Sequence, residues 1–261
     1  RNAARLVEKL RSRGLDIPYG GTTTHMLLVG CRNIIGPDGT PLSGDIAARV
    51  LDLAGIVANR NTIPGDASAL RASGVRMGVS WLTQRGFREA EIDRLGDLIA
   101  DLLLACVPFS YMGKKRPEPR AKVDFETFQR VKLGVRDLAA GVGIDTDAEP
   151  EDYPHFYYME SETATGWQTL AIRDIGYASP QTFLQAVVTS DVAALQPGEQ
   201  QAAWLLAADG APITRAIVEA GQGEYLIHVE QNSQRAAAWL RLISDGFALH
   251  DTADVYAKVP G

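Results

Sequence analysis

Residues 59–78 read NRNTIPGDASALRASGVRMG. A polar amide, Asn61, and a guanidinium, Arg76, flank a stretch rich in small residues and turn formers. Two readings of the pair follow from residue chemistry alone. Asn61 can cap a turn before Pro64 while Arg76 pairs with a nearby acid such as Asp66, or both can face a ligand. A guanidinium grips a carboxylate with two parallel hydrogen bonds, and an amide both donates and accepts.

Outward from this loop the elements alternate. Toward the C-terminus, VRMGVSWL reads as a strand, and FREAEIDRLGDLIADLLLAC puts Ile92, Leu95, Ile99 and Leu103 on one helical face. Toward the N-terminus, SGDIAARVLDLAGIVA has Ile46, Val50, Leu53 and Val57 at helical spacing, HMLLVGC is an apolar run of strand length, and Leu6 and Leu10 mark an opening helix. DFETFQRVKLGVRDLAA adds an amphipathic helix with Asp124 as its N-cap. The fold class expected is α+β, in mixed α/β layers.

The 261 residues are 46% hydrophobic and 22% charged, ordinary usage for a globular chain of one large or two modest domains. No run of about 18 apolar residues occurs and the start lacks a signal-peptide pattern, so a soluble cytoplasmic protein without membrane contact is expected. Cys31 and Cys106 lie far apart and no Cys/His cluster has metal spacing, which predicts buried free thiols and no metal site. The net charge of −6 hides an asymmetry: residues 1–146 carry 21 basic against 16 acidic groups, residues 147–261 only 5 against 16. That shift predicts two domains, 1–146 and 165–261, joined by a linker at 147–164, with the boundary in GVGIDTDAEPEDYPHF, 141–156, where Gly, Pro and acids cluster and apolar periodicity lapses. The basic run GKKRPEPRAK, 113–122, has no interleaved aromatics and reads as a solvated loop, not a nucleic-acid contact.

GGTTTHMLLVG, VLDLAGIVANRNTIPGD and ASGVRMGVSWLTQRGF, in this order and spacing, resemble successive signatures of the small C-terminal domain of serine hydroxymethyltransferase, a fold-type I pyridoxal-phosphate enzyme. RAKVDFETFQRVKLGVRDLAA resembles that domain's final helix. The resemblance covers about 1–146. It implies that Arg76 binds the carboxylate of serine or glycine, that Asn61 contacts folate, and that small neighbours such as Gly74 and Gly78 let the ligand approach the backbone. The implied cofactors are pyridoxal phosphate and tetrahydrofolate, and the parent family commonly forms homo-oligomers. Thr23 and Thr24 replace an acidic or amide pair usual before His25, which is expected to be structural rather than a base. The family's Schiff-base lysine lies in a larger domain with no counterpart here. No catalytic residue is therefore assigned, and the chain alone is expected to be inactive.

The second half, from SPQTFLQAVVTSDVAALQPGEQ through DGAPITRAIVEAGQGEYLIHVEQNSQRAAAWL, resembles the first folate-binding region of the glycine-cleavage T-protein, an aminomethyltransferase, over about 165–261. A helix is expected from Ser179 with Pro180 in its first turn, a hairpin at Gly210 and a turn at Gly221 to Gly223. The order strand, helix, strand, strand, helix, strand predicts a ferredoxin-like layer. Where the family has paired carboxylates this chain has Thr214 and Arg215, which cannot act as a carboxylate base. Asn232 reads as a helix N-cap. The expected function is that of the C-terminal part of a folate-dependent one-carbon enzyme, taking serine and tetrahydrofolate to glycine and 5,10-methylenetetrahydrofolate, with a degenerate T-protein-like domain. The alternative is a non-catalytic folate-binding, oligomerisation or regulatory module.

Overall fold

A computed structural model describes residues 1–112, 117–143, 166–173 and 179–257. The chain divides into two compact units, Arg1–Phe156 and Tyr157–Gly261. The stretch 147–164, expected as a linker, lies outside the described residues.

In the first unit, helix α1 (Asn2–Ser12) buries Leu6, Val7 and Leu10, and α4 (Glu89–Leu104) buries Ile92, Leu95, Leu98, Ile99, Leu102 and Leu103. The two helices pack closely because Gly96 offers no side chain: a Cβ there would lie 2.5 Å from Lys9 Cγ and 3.3 Å from Leu6 Cδ1. Beside this apolar seam runs a ladder of ion pairs at a spacing of four residues on both helices. Arg1 pairs with Glu89, Arg5 with Asp93 at 2.5 Å, Lys9 with Asp97 at 2.9 Å, and Arg13 with Asp97 and Asp101 at 2.6 and 2.7 Å. Helix α5 (Phe125–Ala140) joins through Arg130, 2.7 Å from Asp101, and its Asp124 cap accepts the Thr127 amide at 2.8 Å.

Strands β1 (Met26–Gly30), β2 (Asn59–Asn61) and β3 (Gly74–Gly78) form an antiparallel sheet with β3 in the middle. Helix α2 (Gly44–Leu53) is capped by Ser43, whose hydroxyl accepts the Ile46 amide at 3.2 Å. It ends before Gly55, at φ 86°, so Val57 falls outside the helix and is 80% exposed, contrary to its place in the expected apolar face. The strand read through VRMGVSWL also stops early. The Val79 amide donates to the His25 carbonyl, and the chain then turns into the short helix α3 (Ser80–Gln84). Strands β4 (Val107–Met112) and β5 (Pro117–Lys122) pair antiparallel, which corrects the solvated-loop reading of the basic run. Residues 113–116 lie outside the described set; Lys122 is buried, its ammonium 5.7 Å from the Phe109 ring centre.

The second unit contains β6 (Gln168–Arg173), α6 (Pro180–Val187), β7 (Gln200–Leu206), β8 (Pro212–Ala220), β9 (Glu224–Val229) and α7 (Ser233–Ser244). Its strands lie in the order β6-β9-β8-β7, each neighbouring pair antiparallel. Ala203, Leu205, Ala216, Val218, Ile227 and Val229 are buried, as are Leu184 of α6 and Trp239, Leu240 and Ile243 of α7. As expected, α6 opens at Ser179, whose hydroxyl accepts the Thr182 amide, with Pro180 first in the helix.

The ferredoxin-like expectation is overturned. That layer needs a helix between its last two strands, whereas β7, β8 and β9 follow one another through turns with Gly210 and Gly223 at positive φ, and the helix comes after β9. Asn232 is also corrected. It occupies the position before α7 at φ 56°, but its side chain makes no cap; the amide donates instead to the Ile213 carbonyl at 3.2 Å.

Candidate functional site

The β3 strand alternates Val75 and Met77 into the core with Arg76 outward, as period-two geometry requires. Its register places Arg76 between Leu28 of β1 and Asn59 of β2, and Gly74 opposite Asn61. Arg76 and Asn61 therefore share one face of one sheet. Both line a cavity of about 240 Å³, walled also by Leu28 and Met26 of β1 and by the turn that carries Pro18, Tyr19, Thr22 and Thr24. Tyr19 is held at φ 59° at the rim and is 77% exposed.

Among the described residues the Arg76 guanidinium has no ion pair or hydrogen bond. The Asp66 partnership that would make it structural is not formed. The Asp66 carboxylate instead accepts the Ile63 and Ser73 amides, each at 2.9 Å, and the Ser73 hydroxyl, and it lies 3.6 Å from Arg32. Burial works against its charge, yet the Ser73 and Ile63 donors and the Arg32 cation outweigh that and hold its carboxyl below the usual range. Nor does Asn61 cap the turn: its Nδ2 donates to the adjacent Thr62 carbonyl at 2.7 Å. Asp66 holds both ends of the 63–73 loop.

Of the two glycines expected to admit a ligand, Gly74 does something else. A Cβ on it would lie 2.4 Å from Ile63 Cγ2 and 2.9 Å from the Asn61 carbonyl oxygen, so its missing side chain makes room for the loop. Around Gly78 the nearest such contact is 4.0 Å, from Met26. The His25 imidazole is exposed and has no hydrogen bond among the described residues, while its carbonyl accepts the Val79 amide. It borders a separate depression of about 1030 Å³ with Asn2, Thr83 and Arg88. Cys31 and Cys106 are buried free thiols, as expected, and burial pushes each up to about 12. In the second unit Thr214 is buried and donates to the Gln231 carbonyl at 2.7 Å, with Arg215 exposed beside it.

The sequence reading missed Tyr19, whose left-handed backbone leaves no pattern in the sequence, and it missed Asp66 as the organiser of the loop. The signal for the latter was present in TIPGD, since an Asp just after a Pro-Gly turn is placed to accept the amides around it.

This arrangement lies within a segment, residues 1–99, that matches the serine hydroxymethyltransferase family model. The particular relatives carry the same name. A serine hydroxymethyltransferase of Bombyx mori is 48% identical over 99 residues, 38% of this chain and 20% of its own length. One of Caenorhabditis elegans is 44% identical over 142 residues, 54% of this chain and 27% of its own. One of the archaeon Natronomonas pharaonis is 43% identical over 103 residues, 39% and 23% respectively. The match thus spans about a fifth to a quarter of these relatives.

Proposed function

We propose that the first unit is the substrate-binding small domain of a folate-dependent serine hydroxymethyltransferase, with Arg76 receiving the carboxylate of serine or glycine and Asn61 an edge of folate. The observation that carries this reading is the placement of both side chains on one sheet face, in one cavity, with the guanidinium unpaired. A free Arg in a concave site is prepared for bidentate carboxylate binding, and the unused amide oxygen of Asn61 can accept from a pterin N–H. The exposed ring of Tyr19 supplies a flat wall against which a heterocycle can stack.

Pyridoxal phosphate, the cofactor of that chemistry, does not fit the described residues of this chain. Among the described residues no lysine lines the cavity; Lys9 is engaged by Asp97, and Lys122 and Lys132 are buried elsewhere. What the chain contributes is therefore substrate binding and orientation, and the imine-forming lysine belongs to a longer polypeptide. For the second unit we propose a T-protein-like module without aminomethyl transfer, because Thr214 is committed to a backbone carbonyl and Arg215 brings the wrong charge for a base.

The test is serine turnover by the complete polypeptide with Arg76→Ala. Loss of a charged bidentate contact commonly costs about 2 to 5 kcal/mol, so the KM for serine should rise at least tens-fold. An unchanged KM would remove Arg76 from the site.

A further inference from the structure

Among the described residues the sheet of the second unit has a face that no helix covers, and on it one row of side chains is unlike the others. The register pairs Trp204 with Arg215, and carrying the β8–β9 register one step past Ala216 and Val229 sets Glu230 beside Arg215; the Glu230 amide reaches the Arg215 carbonyl at 3.5 Å. Elsewhere on the sheet cross-strand charges and dipoles satisfy one another. Arg173 bonds Glu224 at 2.7 Å, and Glu219 accepts from Gln200 at 2.7 Å and meets His228 Nε2 at 3.1 Å. Arg215 and Glu230 do not: both are exposed, and among the described residues neither charged group has an ion pair or hydrogen bond, with each other or with anything else. Adjacent opposite charges on neighbouring strands ordinarily pair.

These two groups line a cavity of about 660 Å³ together with Trp204, 47% exposed, and the apolar Ala202, Pro212 and Ile213. Its floor is fixed. Thr214 donates to the Gln231 carbonyl, and Asn232 ties its strained left-handed backbone to the Ile213 carbonyl. Strained residues held by their surroundings cluster at ligand sites.

We propose that this cavity binds a free α-amino acid with a bulky apolar side chain. The ligand's carboxylate lies on Arg215, its ammonium on Glu230, and its side chain against the Trp204 ring. An α-amino acid carries both charges on a single carbon, so it requires an anion and a cation side by side that are not already paired, which is what this row presents. The volume exceeds what glycine or serine needs and suits a branched or aromatic side chain. The site lies in the other unit from Arg76 and does not rest on the hydroxymethyltransferase reading.

The test is calorimetric titration of the full 261-residue chain carrying Arg76→Ala, so that the first unit's cavity adds nothing to the signal. The probes are L-phenylalanine, L-phenylalaninamide, which lacks the carboxylate, and N-acetyl-L-phenylalanine, which lacks the ammonium. Phenylalanine should bind at about 1 mM or tighter, with each analogue at least tenfold weaker. Arg215→Gln should abolish the preference for phenylalanine over its amide. Glu230→Gln should abolish the preference over the N-acetyl form, and Trp204→Ala should weaken phenylalanine while leaving both preferences in place. No saturable binding of phenylalanine, equal binding of the three probes, or affinities unmoved by the Arg215 and Glu230 variants would each overturn the assignment.

Discussion

The Asp66 carboxylate accepts the Ser73 amide at 2.9 Å from seven positions earlier in the chain, and through that bond and the Ile63 amide it closes the loop between Asn61 and Arg76. Asp66→Ala leaves both amides without their acceptor. Each unsatisfied buried donor costs about 1–3 kcal/mol, so urea unfolding of the variant should show a lower midpoint at unchanged m-value. Asp66→Asn, which retains one carbonyl oxygen, should fall between the two.

Burial pushes the Lys132 ammonium down from its ordinary 10.5 to about 8. Between those values the unfolded chain holds a proton that the folded chain has released, so stability should rise as pH increases from about 8 to 10.5, and the cost of burying the charge should be fully present below pH 8. Lys132→Met is expected to raise stability at pH 7 by about 1–3 kcal/mol and to flatten that rise. Thermal unfolding of both proteins across the range decides it, and a wild-type curve already flat there would contradict the expectation.

The acids of the α1–α4 ladder give a slope of the same sign at the acid end of the range, because there too the unfolded chain holds the extra proton. Burial opposes ionisation of Asp97, but hydrogen bonds from Lys9 and Arg13 outweigh it and hold its carboxyl below the ordinary 3.8. The stability it contributes is present above pH 3.8 and is lost as pH falls through the lowered value. Asp97→Asn should therefore destabilise at neutral pH, by about 0.2–1 kcal/mol for so accessible a pair, and the difference should shrink in acid and in 1 M salt.

Thr214 decides whether the second unit can be converted to the acidic pattern of the T-protein. Thr214→Val leaves the Gln231 carbonyl without its donor and should cost about 1 kcal/mol. Thr214→Asp puts a carboxylate against that carbonyl, acceptor facing acceptor, and should cost more. The measurement is the denaturation midpoint of each full-length variant, and an aspartate variant as stable as the parent would refute this account of Thr214.

Local chemistry was the legible part of this chain. Asp124 and Ser179 were readable as caps because a side chain and the amide three residues on belong to the same turn. Arg76 and Asn61 were readable as candidates, and the structure brings them into one cavity. The misreadings have long-range causes. The exit from β3 at Val79 depends on the carbonyl of His25, and Asn232 was read as a cap though its partner is Ile213 on another strand. The Pro-rich 117–122 segment is a strand because β4 pairs with it. The unpaired state of Arg215 and Glu230 has no trace in the sequence.

Gly96 acts on the ladder of ion pairs as a whole. Because the ladder repeats every four residues on both helices, sliding α1 by one turn would carry Arg5 to Glu89, Lys9 to Asp93 and Arg13 to Asp97, a set of attractions almost as complete as the native one. Charge alone thus admits several alignments. The notch at Gly96 does not choose among them, since the same slide would bring Leu10 and the Arg13 stem to where Leu6 and the Lys9 stem now lie. What it fixes is separation: filling the notch with alanine would hold the two helices apart and so lengthen every rung of the ladder at once.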